Sequence, residues 1–92
     1  MTGKRSTAKS IIIDYISSMF LQNTYQISSH DFEIQVVKFG KDWHNKWYNP
    51  STYSRAWRKL KESGRIPELD VFSIDTVKNK SAETTWVLRT RK

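Results

Sequence analysis

The chain has no cysteine, only three glycines and two prolines, and no long apolar run. Without cysteine, neither a disulfide framework nor a thiolate metal site is available. Ile11-Ile12-Ile13 falls far short of the roughly 20 residues that span a bilayer. Residues 1–10 also lack the apolar core of a secretory signal. We therefore expect an intracellular protein (cytoplasm, nucleoid or nucleus) that does not associate with membranes.

Catalytic groups are equally scarce. His30 and His44 are the only histidines, and the nine acidic residues are scattered along the chain. No set of side chains has metal-ligand spacing, and three isolated glycines cannot form a phosphate-binding loop. The pattern therefore predicts no enzyme, no cofactor and no metal. We interpret His30 as a residue of a helical first turn and His44 as a loop residue that contacts phosphate.

Positive charge, by contrast, is abundant and uneven. The 92 residues include 16 basic and nine acidic side chains, a net charge of +7. Residues 38–63 carry seven basic and two acidic side chains, and both termini are basic. Such clusters favour a polyanionic partner, although a basic surface without a specific partner is the alternative. We assign residues 1–5 to a basic N-terminal arm, 6–90 to one domain and 91–92 to a basic tail.

The segment 49–66 predicts a helix with both ends marked. Asn49 suits the N-cap, Pro50 the first turn and Gly64 the left-handed position that ends a helix. A buried face follows the spacing i, i+3, i+4, i+7 through Tyr53, Ala56, Trp57 and Leu60. The opposite face carries Ser51, Arg55, Arg58 and Glu62, with Ser54 and Lys59 at its flanks. This polar face is suited to the major groove of DNA, where Arg reads guanine.

Two earlier helices are predicted from apolar spacing. The first starts near Ser6 or Thr7 and frays near residues 22–23. Ser28 and Asp31 resemble a capping box for the second, and Ile27 just before it suits a very short strand. The buried stripe of the second helix is expected at Phe32, Val36, Phe39 and Trp43.

After Gly64 the apolar period changes from 3.6 to 2. Runs over 71–77 and 84–90 flank a polar loop at 78–83, which predicts a β-hairpin. We expect Phe72 and Ile74 to share a face with Trp86 and Leu88 and to cover the helices. The predicted fold class is therefore α+β, a three-helix bundle with a C-terminal β-hairpin.

Three helices followed by a hairpin resemble the winged-helix variant of the helix-turn-helix family, over roughly residues 6–92. The most similar segment is 57–66, in which Leu60, Gly64 and Ile66 match an ending common after winged-helix recognition helices. The strand 86–88 is similar to the last wing strand. The resemblance implies that the third helix enters the major groove and that the hairpin loop, or wing, contacts a minor groove or phosphate.

The resemblance implies sequence-specific or semi-specific binding of double-stranded DNA in the regulation of transcription or replication. The candidate residues fall into three sets. The helix contributes Ser51, Thr52, Ser54, Arg55, Arg58 and Lys59, and the wing contributes Lys78, Asn79 and Lys80. The flanking segments add Lys46, Tyr48, Arg89 and Arg91.

Other readings stay open. Trp47 and Tyr48 lie outside every helical stripe and could stack on bases of single-stranded DNA or RNA. A winged helix can instead serve as a protein-interaction module within a transcription or replication complex. Arg58 could simply pair with Glu62, and Lys78 and Lys80 could be ordinary solvated loop residues. A homodimer is also open, because the first helix has more apolar residues than one buried face needs.

Overall fold

The computed structural model describes residues 7–80 and 83–91. Its elements in chain order are α1 (Ala8–Leu21), β1 (Gln26–Ser28), α2 (Ser29–His44), α3 (Pro50–Ser63), a 3₁₀ turn (Pro67–Leu69), β2 (Val71–Lys78) and β3 (Thr84–Thr90). Three helices pack on an antiparallel sheet of strand order β1-β3-β2. The α+β class is thereby confirmed, as is the short strand at Ile27. The arm predicted over 1–5 and the last tail residue lie outside the described residues.

Side chains cap the start of each helix. Thr7 Oγ1 accepts a hydrogen bond from the Ser10 amide at 3.1 Å, and Asn49 Oδ1 accepts one from the Ser51 amide at 3.0 Å. Ser28 Oγ accepts from the amide of His30 at 3.3 Å, rather than from Asp31 as the predicted capping box required. Each cap satisfies an amide that the helix itself leaves unpaired.

Aromatic rings in the core join α2 and α3 to the sheet. Phe32 of α2, Trp57 of α3 and Trp86 of β3 form a triangle with ring centroids 5.3 to 5.9 Å apart. Each such pair contributes about 0.5–1.5 kcal/mol beyond its burial. The prediction that Tyr53 and Trp57 anchor α3 is confirmed, because both side chains are buried.

The predicted place of Trp43 in the core is wrong. Its side chain is 76% exposed and lies with its ring stacked on Phe39, 6.1 Å between centroids. The buried stripe of α2 instead runs through Phe32, Val36 and Gly40. A Cβ on Gly40 would lie 2.5 Å from Tyr53 Oη, so the glycine permits a close approach of α3. Because α2 turns Gly40 towards α3, Trp43 lies on the exposed side of α2.

The prediction that Phe72 faces the core is also wrong. Val71 is buried and Phe72 is 45% exposed, because the register shifts between Val71 and Ser73. One extra residue at a bulge reverses which side chains face the core. Beyond the bulge Ile74 pairs with Leu88, as expected.

A closed turn links α3 to the hairpin. Gly64, at φ +71°, donates its amide to the carbonyls of Leu60 and Lys61 and ends the helix. Ile66 is buried, and it exchanges two backbone hydrogen bonds with Val71, of 3.0 and 3.1 Å. The 3₁₀ turn between them therefore holds the start of β2 against the end of α3.

Candidate nucleic-acid interface

The outward face of α3 is polar and mostly cationic. Tyr53, Trp57 and Leu60 are buried, and this orientation exposes the opposite side. The residues exposed there are Ser51, Arg55, Arg58, Lys59 and Glu62, as the helical spacing predicted. Within the described ranges, no ion pair involves any of these charged side chains, so the expected alternative of an Arg58–Glu62 pair is not formed. The two guanidinium groups are therefore available to a ligand.

Lys61 is the cation of α3 that points elsewhere. Its Nζ lies 4.4 Å from the ring centroid of Trp86, in a cation–π contact with the sheet. Burial, and then the nearby Arg58, lowers the pKa of Lys61. This lysine holds α3 on the sheet and does not contribute to the exposed face.

The first groove beside this face lies between α3 and the start of α1. Its volume is about 450 Å³, and its floor is formed by Ala8, Ala56 and Leu60. Its walls carry the polar side chains of Lys9, Thr52, Arg55, Lys59 and Ser63. Lys9 was missed as a site residue, because the chain alone does not show which side of α1 turns towards α3. Thr52 is half-buried in this groove.

A second polar groove lies between α3 and α2. It is lined by Ser51, Ser54, Arg55 and Arg58, together with Glu33 from α2. Ser54 Oγ donates to Glu33 Oε1 at 2.6 Å, and Ser51 Oγ donates to Asn49 Oδ1 at 3.0 Å. Both serine hydroxyls already have partners, and a carboxylate that the sequence prediction missed lies beside the two arginines.

The hairpin loop is tied to the start of α2. Ser28 Oγ donates to the Glu83 carboxylate, and the Thr84 amide donates to Ser29 Oγ at 3.3 Å. Asn79 donates its amide to the Glu83 carbonyl at 2.8 Å and its side chain to Thr85 Oγ1 at 3.2 Å. Asn79 therefore shapes the loop, whereas the nearby Lys78 and Lys80 side chains are exposed. Residues 81 and 82 lie outside the described part of the loop.

The remaining basic candidates, Arg89 and Arg91, lie at the opposite end of the hairpin. Seven residues of β3 separate this end from the loop by about 20 Å, so these arginines and the loop lysines cannot share one phosphate. Arg89 Nε donates to the carboxylate of Asp75, which lies diagonally across the strand pair. This bond, with one from Ser73, lowers the pKa of Asp75. Arg89, a predicted DNA-binding residue, is therefore already paired with an acid across the hairpin.

Trp47 and Tyr48, the suggested base-stacking pair, lie in the segment before α3 but in different surroundings. Trp47 is 63% exposed, whereas Tyr48 is half-buried with its ring 5.8 Å from that of Tyr53. The two rings do not present a joint stacking surface. Lys46 is exposed in the same connection. His44 ends α2 instead of lying in a loop, and its Nε2 lies 2.9 Å from Asp14 Oδ2 on α1.

Neither models of known protein families, nor curated protein sequences, nor solved structures match this chain. Within residues 7–80 and 83–91, no three His, Cys, Asp or Glu side chains come together as a metal site. The helices in the same ranges are too short or too polar to span a bilayer.

Proposed function

We propose that this protein is a winged-helix domain that binds double-stranded DNA, with α3 in the major groove and the loop between β2 and β3 on the backbone. The observation that carries the proposal is the outward face of α3. Arg55 and Arg58 are exposed there, without ion-pair partners among the described residues, on a helix fixed by a capped start and a buried opposite face. Arginines on a rigid helix are suited to bidentate contacts with guanine.

Phosphate contacts would provide most of the affinity. Lys9 and Lys59 lie on the walls of the groove beside α3, and Lys78 and Lys80 are exposed at the loop. Neutralising phosphates releases counterions, so binding weakens steeply as salt rises. This arrangement gives two phosphate contacts at separate places, one beside the recognition helix and one at the wing.

Glu33 would contribute to sequence choice. Its carboxylate is held by Ser54 at the edge of the groove that contains both arginines. A carboxylate repels phosphate but accepts a hydrogen bond from cytosine N4. The pair of arginines with a neighbouring carboxylate therefore favours recognition of base edges over binding of backbone alone.

The test is duplex binding measured at two salt concentrations, with random and with selected sequences. The selected sequence should bind more tightly at both salts, and both affinities should fall as salt rises. Lys38→Ala serves as a matched control, because it removes an exposed helical lysine that lies on α2 away from the outward face of α3. Absence of salt-dependent duplex binding would contradict the proposal and favour a protein-interaction module.

Binding of single strands is the alternative that the exposed Trp47 ring keeps open. Competition between duplex and single-stranded DNA at one salt concentration separates the two functions. Because Tyr48 packs against Tyr53, we expect the duplex to compete more strongly.

A further inference from the structure

An apolar groove lies along α2 and the segment before α3, and it borders the second polar groove at Glu33. Its lining consists mainly of Ile34, Val37, Lys38, Lys41, Trp47 and Pro50, and its volume is about 450 Å³. Ile34 is 69% exposed and Trp47 is 63% exposed. A single exposed apolar side chain is ordinary, whereas two large ones on a shared groove make this groove a candidate interaction surface.

The charges around this groove are mainly positive. Neither Lys38 nor Lys41 is in an ion pair within the described ranges. Glu33 is the acid that lines the groove, and its carboxylate accepts a hydrogen bond from Ser54, towards α3. An incoming carboxylate would therefore meet two available ammonium groups beside an apolar floor.

We propose that this groove binds an acidic segment of a partner protein. A large apolar side chain of that segment would pack between Ile34 and Trp47, and its Asp or Glu residues would pair with Lys38 and Lys41. Tryptophan is enriched among the residues that dominate binding energy at interfaces. Amphipathic segments commonly lay an apolar face into a groove of this kind.

Charge and shape disfavour the other occupants. A second copy of this chain carries a net charge of +7 and would be repelled by the basic rim. A single strand needs successive stacking surfaces, but the described lining of the groove contributes one aromatic ring, that of Trp47, beside the apolar side chains of Ile34, Val37 and Pro50. The proposal does not depend on DNA binding, since this groove borders the arginine groove at Glu33 but contains neither Arg55 nor Arg58.

The experiment uses the full chain, isotope-labelled for NMR, and two short synthetic amphipathic peptides. The peptides share the same Leu and Phe positions, but one carries Glu and the other Lys at every polar position. The acidic peptide should shift the indole N–H of Trp47 and the amides of Ile34 and Lys41, with a dissociation constant on the order of 10–100 µM. The basic peptide should cause no such shifts.

Variants separate a specific groove from general charge attraction. Trp47→Ala should weaken binding of the acidic peptide about tenfold or more, and an unchanged amide spectrum elsewhere verifies the fold. Lys38→Glu with Lys41→Glu should abolish that binding and create binding of the basic peptide. Arg55→Ala with Arg58→Ala should leave peptide binding unchanged while weakening duplex binding, so the two proposals fail independently.

Three results would overturn the proposal. One is no shift at Trp47 with the acidic peptide. Another is a shift caused by oligothymidine but not by the peptide, which would assign the groove to single strands. The third is a shift at Trp47 that appears on raising the protein concentration alone, which would assign it to a second copy.

Discussion

Two grooves of equal volume, about 450 Å³ each, one between α1 and α3 and the other along α2, have different chemistry. The groove against α1 has a low floor of Ala8 and Ala56, with cations on its walls. The groove along α2 is flanked by the protruding side chains of Ile34 and Trp47. A smooth, charged backbone can approach the first, whereas the second suits a partner with a side chain to insert. The size of a groove therefore says less about its ligand than the height and charge of its walls.

The largest expected effect comes from removing both outward arginines. Arg55→Ala with Arg58→Ala should cost about 2–6 kcal/mol in binding to the selected duplex, since each base-reading arginine contributes about 1–3 kcal/mol. Preference for the selected sequence over random DNA should fall as well. Titrations of both duplexes at one salt concentration measure this. An equal loss on every sequence would leave only a phosphate role for these arginines.

The position of α2, which forms a wall of the apolar groove, depends on Gly40. Gly40→Ala should lower the free energy of unfolding by about 1–3 kcal/mol, the usual cost of overpacking a core. The new Cβ would lie 2.5 Å from Tyr53 Oη, a buried hydroxyl that has no hydrogen-bond partner among the described residues. Tyr53→Phe should therefore relieve the clash, and urea unfolding of the single and double variants checks this. Equal destabilisation by Gly40→Ala in both backgrounds would contradict the mechanism.

The lysines of the groove between α1 and α3, and those of the loop between β2 and β3, should contribute equally to binding of every DNA sequence. Lys9→Ala and Lys80→Ala should each weaken all duplexes to a similar extent and reduce the salt slope by about one unit. Lys38→Ala, on the other groove, should leave the slope unchanged. An unchanged slope for Lys80→Ala would remove the wing from the interface.

Substitution of Glu33 should strengthen DNA binding, whereas the preceding substitutions weaken it. Glu33→Gln should strengthen binding to random DNA by a few-fold, since it removes repulsion of phosphate. It should also reduce discrimination at a cytosine position, where the carboxylate accepts from N4. Ser54→Ala is the matched control, because it removes the bond to Glu33 but keeps the charge. Weaker binding of random DNA by Glu33→Gln would contradict this role.

The smallest effect is expected at the exposed pair of Asp75 and Arg89. The native pKa of Asp75 is lowered, so the pair adds stability above the ordinary carboxyl pKa and loses it as pH falls through the native pKa. Asp75→Asn should therefore slightly flatten the fall of thermal stability in acid. Melting temperatures between neutral and acidic pH measure this, and an identical pH profile would rule the contribution out.

Local signals predicted much of the fold. The caps at Asn49 and Gly64, the buried spacing of α3 and the change of period after Gly64 depend on near neighbours in the chain. Trp43 and Phe72 were misplaced, because a glycine contact between helices and a bulge in the sheet decide their orientation. Both features depend on packing between distant segments.

The outward face of α3 could be predicted for the same reason, since it is the complement of a local pattern. The residues that surround this face could not be predicted from local spacing. Glu33 reaches Ser54 across 21 positions, and Lys9 joins the face only because α1 packs beside α3. Arg89 pairs with Asp75 on the other strand of the hairpin. The register of the two strands brings these side chains together, although they are far apart in the sequence.

The closed turn between Ile66 and Val71 would restrict the shape of a duplex bound at the proposed interface. Two backbone hydrogen bonds there hold the hairpin at the end of α3, so α3 and the loop between β2 and β3 cannot adjust their separation independently. A duplex that contacts both must match this spacing through its own groove width and curvature. Flexible pyrimidine–purine steps between the two contacts would then improve binding, although no side chain touches those bases.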